Sequence, residues 1–467
     1  MVTKSLTRTF WSYTLPAMAA LMVSGLYSVV DGIFIGHALG ADGLSAVNLA
    51  WPLAGVIWAV AMLAGMGGGA QLGAARGAGD AKRQGETLGV TLGLIAVLGA
   101  ATGALILALG PAFLTAQGAE GTLAAMGFGY LSVLGWSAPV IMAGMALPLL
   151  LRNLGAPRLA TAAMLVGAAT NVAFDWLFVL KLGHGLAGAA RATLIAEVVV
   201  IIVSLAAMAR LGVLRALRPG RGTPARAARI LTSGFSSMIM ALYLSFVVVL
   251  HNMLFLQHGG TLTVAAYTVA GYVMSFFYYF SEGVAGGMQP LTSYYHGARD
   301  RMRMAQVLKL ALMLSLGGGA ALTALVVAFP APVARIFAGH DAALIAEAAH
   351  GLRLHLSAMV LDGFIVLSAT YFQSVGQARK AALITMGNIA IQLPFLFALP
   401  RLMGTDGVWL AMPLSNVALS GIVVWMLWRA HRGVFARAAV HARRALEVGT
   451  QACEEAWAHG PDGGRTA

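Results

Sequence analysis

Apolar runs recur along the chain at roughly 12–36, 47–74, 86–110, 124–151, 159–181, 187–210, 230–257, 262–291, 304–329, 345–374, 380–400 and 407–429. At 1.5 Å of rise per residue, a helix of about 20 apolar residues crosses the hydrocarbon core of a bilayer. The pattern therefore predicts an all-α integral membrane protein with twelve transmembrane helices. Short polar segments rich in Gly, Asp and Arg separate the runs.

Composition agrees with that reading. The 467 residues are 59% hydrophobic and only 10% charged, with a mean hydropathy of +0.81. A soluble fold could not cover its surface with so few charges. The formal net charge of +13 would suggest nucleic acid as a partner, but the basic residues sit in alternate loops, 25 of the 30 Lys and Arg on one side. The other side holds Lys181, Arg335 and Arg401. By the positive-inside rule both termini are cytoplasmic, and the charge is explained by topology and by contact with anionic lipid, without nucleic acid. The first run, preceded by Lys4 and Arg8, is too long for a secretory signal peptide. Cys453 is the single cysteine, so no intramolecular disulfide forms. From about Ala430 the chain turns polar and is expected to end as a short amphipathic helix on the inner surface.

Displaced by about 220 positions, the chain matches itself. Arg76-Gly-Ala-Gly-Asp80 falls on His296-Gly-Ala-Arg-Asp300, and Gly67-Gly68 falls on Gly286-Gly287. Leu151-Arg-Asn-Leu-Gly-Ala-Pro-Arg158 falls on Phe372-Gln-Ser-Val-Gly-Gln-Ala-Arg379, and Gly185-Leu-Ala-Gly-Ala189 on Gly407-Val-Trp-Leu-Ala411. Four matches in order predict a duplication: an N-terminal six-helix lobe over 1–212, a basic cytoplasmic linker over 213–229, a C-terminal six-helix lobe over 230–430, and a cytoplasmic tail over 431–467. Six crossings are even, so the repeat is parallel, with its pseudo-axis along the membrane normal. A cleft between two such lobes is a natural place for a substrate.

Ionisable groups inside the apolar runs carry the chemistry. A carboxylate at the bilayer centre costs about 3 kcal/mol on insertion scales, so it needs a proton, a partner or water. Asp31 lies about five residues below the outer end of the first helix, and Asp175 about six below the outer end of the fifth. Asn171 is one turn deeper on the same face as Asp175. Thr193 on the sixth helix and Tyr130 on the fourth fall at matching depth. This layer of oxygen donors suits Na⁺ or a transferable proton. Two neighbouring carboxylates disfavour double ionisation, so one of them, Asp31 first, is expected to bind a proton near neutral pH and to titrate together with Asp175. Each member also has a plain structural role open to it: Asp31 capping a broken helix, Asn171 and Asp175 satisfying each other, Thr193 bonding to the preceding turn, Tyr130 simply lining the wall. Glu197 follows Thr193 by one turn and could extend the layer.

The C-terminal half carries its own acids, Glu282 and Asp362, as secondary candidates for coupling or substrate contact, or for pairing with Arg353 or His355. Trp51, Trp58, Met62, Met66, Trp136, Met142, Tyr272, Phe276 and Tyr279 offer the large, adaptable surface that promiscuous sites use, although such residues also serve as packing. His37, His184 and His340 lack metal-ligand spacing, and the absence of a Walker A motif argues against ATP drive.

Several of these segments together resemble the multidrug and toxic compound extrusion (MATE) transporters: Pro16 with Val30-Asp-Gly-Ile-Phe-Ile-Gly36, Leu44-Ser-Ala-Val-Asn-Leu-Ala-Trp-Pro52, the Gly77 and Gly297 turns, and Arg152-x-x-Gly155. The resemblance covers about residues 10 to 430. It implies a bacterial-type inner-membrane antiporter that exports amphipathic, often cationic drugs against H⁺ or Na⁺, with no cofactor beyond that ion and no enzymatic activity. In the family a cation site looks like an aspartate on the first helix, Asn-x-x-x-Asp on the fifth and a threonine on the sixth, which fall on Asp31, Asn171, Asp175 and Thr193. Na⁺, if used, would sit there. The NorM-type branch also uses a glutamate on the seventh helix, and 230–257 contains no acid, so the DinF-type branch is the better match. A pivot of the first helix at Pro16 follows from its missing N–H. A lipid-linked oligosaccharide flippase shares the two-lobed architecture and is the alternative, although it would want a cationic cavity. Nothing in the sequence demands more than a monomer.

Overall fold

A computed structural model describes residues 5–117, 119–217, 223–338 and 341–430. The polar tail, Cys453 and His340 lie outside them, as does part of the basic linker. The described residues are helical nearly throughout: α1 (Leu6–Gly77), α2 (Ala81–Ala116), α3 (Gly121–Asn153), α4 (Pro157–Asp175), α5 (Gly185–Arg210), α6 (Thr223–Gly297), α7 (Arg301–Ala328), α8 (Pro330–Ala338), α9 (Ala342–His355), α10 (Met359–Ser374) and α11 (Ala378–Met403). A further helix, α12, covers Thr405–Ala430. The chain divides after Ser420 into two units.

Among the described residues, nine helices are long and apolar enough to cross a membrane, or ten if the bent pair α9–α10 counts as one span. Twelve were expected, and the difference has identifiable causes. The run at 345–374 is broken between His355 and Met359 by a 49° bend. The runs at 12–36 and 262–291 are helical but are absorbed into α1 and α6, of 72 and 75 residues. The second of these carries Glu282, Gln289 and several hydroxyls, which dilute its apolar character.

Neither long helix is straight. Extended, 72 residues would reach about 108 Å, several times the hydrocarbon thickness. Yet Arg76 Nη1 donates to the Tyr13 hydroxyl at 3.5 Å, so the two ends of α1 meet and the helix doubles back as a pair of arms. In α6 the break is at Gly260, whose φ of 76° and ψ of −167° suit glycine alone.

The self-matching segments also match in conformation. Asp80 caps α2 by accepting from Arg83 N at 2.9 Å, and Asp300 caps α7 by accepting from Arg303 N at 3.0 Å. The residue before each cap is left-handed, Gly79 at φ 71° and Arg299 at φ 58°. Gly155 (φ 93°) and Gly376 (φ 74°) end α3 and α10 in the same way, with Ala156 N donating to Leu151 O at 3.0 Å and Gln377 N to Phe372 O at 2.8 Å.

Helices in lipid gain little from apolar burial against one another, so small residues and buried polar pairs hold them together. At several glycines the arms of α1 and α6 come together backbone to backbone. A methyl on Gly234 would sit 1.8 Å from Leu63 O, and one on Gly67 2.1 Å from Ile230 O. Methyls on Gly77 and Gly297 would each sit 1.8 Å from the carbonyl oxygens of Tyr294 and Ala74, respectively. Polar bonds reinforce it: Gln71 Nε2 of α1 donates to Ser233 Oγ of α6 at 3.0 Å across the same seam, and Asn153 Nδ2 of α3 donates to Gln289 Oε1 of α6 at 2.9 Å beside it. An Arg226–Glu86 ion pair joins α6 to α2.

Candidate functional site

The oxygen-rich layer is assembled by four helices. Asp31 comes from the first arm of α1, Tyr130 from α3, Asn171 and Asp175 from α4, and Thr193 from α5. Immediately after Asp175, α4 widens into a π-helical turn over Trp176–Lys181. Such turns are uncommon in helices and recur at functional positions. Asn171 and Asp175 are 2% and 1% exposed, so their polar atoms must be satisfied inside the protein.

The bonding within the layer has a direction. Asn171 Nδ2 donates to Thr193 Oγ1 at 3.5 Å, and Thr193 in turn donates to Ala189 O at 3.2 Å. Asn171 Oδ1 is thereby left as a bare acceptor. The Asp31 and Asp175 carboxylates lie within hydrogen-bonding reach of each other, with Tyr130 in electrostatic range of both. Asp31 Oδ1, Asn171 Oδ1 and both carboxylate oxygens of Asp175 are buried and receive no donor from a described residue. Buried acceptors without a donor, three of them on two neighbouring carboxylates, suit a proton or a hard cation. Among the described residues no group of three or more His, Cys, Asp or Glu could hold a metal ion by itself, so any cation here would rely on the amide and hydroxyl oxygens as well.

The remaining candidates fall elsewhere. Pro16 lies inside α1, and its carbonyl accepts from Thr161 Oγ1 on α4 at 2.9 Å. Glu197 sits on α5 one turn from Thr193 without a bond to the layer. Glu282 accepts from the Tyr278 hydroxyl at 3.3 Å, with Asp362 in electrostatic range of both. Neither acid pairs with Arg353 or His355; His355 Nδ1 bonds instead to Trp409 O at 2.9 Å.

Glu282 also faces a cavity between α1, α6, α10 and α11. Trp58, Met62, Met66 and Met240 form its apolar wall, and Ser236, Ser237, Tyr278, Thr370, Gln373 and Thr385 bring polar groups. Of the surface suggested from the sequence, Trp58, Met62 and Met66 are there. Trp51, Trp136, Tyr272 and Phe276 are not among its lining residues and are 56%, 80%, 54% and 55% exposed. Met142 is fully buried in the packing of the N-terminal half, and Tyr279 packs on Gly25. The serines, threonines and Gln373 of the cavity do not stand out in the sequence. A lone hydroxyl in an apolar helix usually bonds to the preceding turn, which leaves no distinguishing signal.

A helical protein with many apolar spans, two carboxylates facing one another in its interior and an amphipathic cavity is a multi-pass membrane protein of the solute-handling kind. The MatE family model matches it twice, over residues 16–177 and 233–398. The chain therefore belongs to the MATE family. It is 25% identical over 426 residues to the multidrug export protein MepA of Staphylococcus saprophyticus, covering 89% of this chain and 93% of that protein. Among solved structures it resembles the outward-facing conformation of a multidrug resistance MATE family transporter of the MOP superfamily, with a TM-score of 0.83 and 25% identity over 91% of this chain and 96% of that one. It is equally similar, at TM-score 0.83, 25% identity and the same coverage, to a MOP superfamily transporter from Pyrococcus furiosus described as having a binding pocket of reverse polarity that suggests a different function.

Proposed function

We propose that this protein is a secondary active multidrug efflux transporter of the inner membrane. It exports amphipathic, often cationic compounds in exchange for H⁺ or Na⁺, by alternating access between two six-helix lobes over 1–212 and 230–430. The observation that carries this reading is the Asp31–Asp175 pair, with three buried oxygens that receive no donor and a fourth on Asn171 one turn away. Support for duplication comes from the two family-model matches, offset by about 220 residues, and from the repeated turns at Gly79 and Arg299. The name of the staphylococcal relative supports drugs as substrates. Chemistry of this kind needs no bond-making site, and the protein is read as a transporter and not an enzyme.

Coupling works through competition for charge. With the carboxylate pair ionised, the interior carries negative charge that a cationic drug can offset. A proton or Na⁺ arriving at Asp31 and Asp175 neutralises the pair and removes that incentive. The first arm of α1 then changes its relation to α4, with Pro16 as the weak point and the Thr161 bond as the contact that must be exchanged. Absence of an acid on 230–257 favours the DinF-type arrangement, where this N-terminal layer couples.

The lining of the cavity supports this reading over the flippase alternative. Its single charged lining residue is Glu282, with no Lys or Arg to receive a pyrophosphate. Its methionines and Trp58 suit varied aromatic cations instead. The test is efflux of a fluorescent cation from proteoliposomes under an imposed pH or Na⁺ gradient. Asp31→Asn should abolish gradient-driven efflux while expression stays near wild type. Undiminished efflux by that variant would remove Asp31 from the mechanism.

A further inference from the structure

Glu197 is an acid within the apolar spans of the N-terminal half that the coupling layer leaves unused, and unlike Glu86, which pairs with Arg226, it has no ion-pair partner among the described residues. It stands midway along the 26-residue α5, about 18 Å from either end, at the depth where an ionised carboxylate costs most. It forms no ion pair or hydrogen bond with a described residue. The fold nevertheless makes room for it. Its carboxylate occupies the notch opened by Gly144 on α3, where a methyl group would lie 2.0 Å from Oε2. A side chain retained only for packing would not need a carboxylate there, since a Leu or Met fills such a notch at far lower cost.

Its position relative to the coupling layer is ordered. Asp175 and Asn171 lie one turn apart on α4, Asn171 bonds to Thr193 on α5, and Glu197 lies one turn beyond Thr193. Polar groups thus descend turn by turn from the carboxylate pair toward the middle of the membrane. Around α5, Tyr130 stands with the pair, Arg76 bonds Tyr13 and Asn153 O, Arg152 contacts Met164, and Lys181 lies over the Trp176 ring; Arg8 is in the first turn of α1, and His184, Arg191 and Arg210 lie at or near the ends of α5. Arg158 and Arg215 sit in the first turn of α4 and in the 3₁₀ turn after α5, near the inner end. None forms an ion pair with Glu197.

Taking the coupling role of Asp31 and Asp175 as given, we infer that Glu197 is a relay that receives the coupling proton from that pair and carries it inward. The proton leaves a carboxyl O–H of the pair, passes through water and binds a carboxylate oxygen of Glu197. The pair gains one negative charge as Glu197 loses one. The pair is then ready for the next cation while the proton waits at mid-membrane for release on the inner side. As a group that moves a transferred proton, Glu197 requires an ionisable side chain and not merely one of this size.

The test uses the purified full chain in vesicles with an imposed pH gradient, following ethidium and proton flux together, and measures ethidium binding separately in detergent. Glu197→Gln keeps the shape and hydrogen-bonding capacity of the protonated acid, so it should bind ethidium within about twofold of wild type yet slow proton-coupled flux about a hundredfold, the lower range of general acid–base effects. Glu197→Asp should restore much of the flux with an altered pH profile. Gly144→Ala, which displaces the carboxylate without removing it, should slow flux in the same direction. Wild-type flux by Glu197→Gln overturns the relay while leaving Asp31 and Asp175 in place. Loss of binding and flux together, unrestored by Asp, marks a structural role and overturns it as well. If the wild type itself shows no proton-driven flux, the relay falls together with proton coupling.

Discussion

The closest helix contacts in the molecule give a prediction whose sign depends on position. Gly234 on α6 faces the backbone of α1, and a methyl there would lie 1.8 Å from Leu63 O, 2.7 Å from its carbonyl carbon and 3.0 Å from its Cα. None of these is the end of a flexible side chain. Ordinary contact begins at 3.4 Å, so Gly234→Ala forces the two helices about 1.6 Å apart at this point. Overpacking of this kind costs about 1–3 kcal/mol, or about 5- to 150-fold in the equilibrium between states with these arms closed and apart. Gly93 on α2 is the control. Nothing lies within 4 Å of a methyl placed there, so Gly93→Ala should stabilise the helix by about 0.5–1 kcal/mol. Both variants are measured by denaturant and thermal unfolding of the purified protein in lipid nanodiscs, followed by intrinsic fluorescence. A further Gly67→Ala change, which meets Ile230 O across the same seam at 2.1 Å, should cost less in the Gly234→Ala background than alone, because the helices are already separated. Equal stability of Gly234→Ala and Gly93→Ala would refute the claim that backbone contact between α1 and α6 holds this seam.

Two smaller perturbations probe the repeat and the pivot. Arg299 holds a left-handed φ of 58° at the position where the equivalent turn has Gly79; Arg299→Gly should therefore raise stability by about 0.5–1 kcal/mol in the same unfolding assay, less whatever its guanidinium contributes locally. Thr161→Val removes the hydroxyl that holds the Pro16 carbonyl. Hydrogen–deuterium exchange should then quicken in the first arm of α1 relative to the second, with a loss of about 1 kcal/mol in stability.

How far the sequence reached can be read from particular residues. The apolar spans, the basic loops and the internal match were legible, because the bilayer imposes length and polarity on each segment independently of its neighbours. Asn171 and Asp175 could be placed on one face by the 3.6-residue period alone, and depth counted from helix ends put Asp31, Tyr130 and Thr193 in the same layer. Trp136 and Met142 show the limit: both look like drug-site residues in a string of letters, yet one is 80% exposed and the other is fully buried packing. Which way a side chain faces depends on what its helix packs against, and no local pattern carries that.

The sequence by itself determined that this chain lives in a membrane, that segments of its two halves match in order and that carboxylates lie within its apolar spans, since each of these follows from composition and period along one dimension. Only the tertiary structure decided that Asp31 and Asp175 face each other with donorless oxygens around them, that Glu282 borders a cavity, and that glycines let α1 and α6 meet backbone to backbone. Those are relations between segments far apart in the chain, set by how close two helices can come, and a helix acquires them only when its partner is in place.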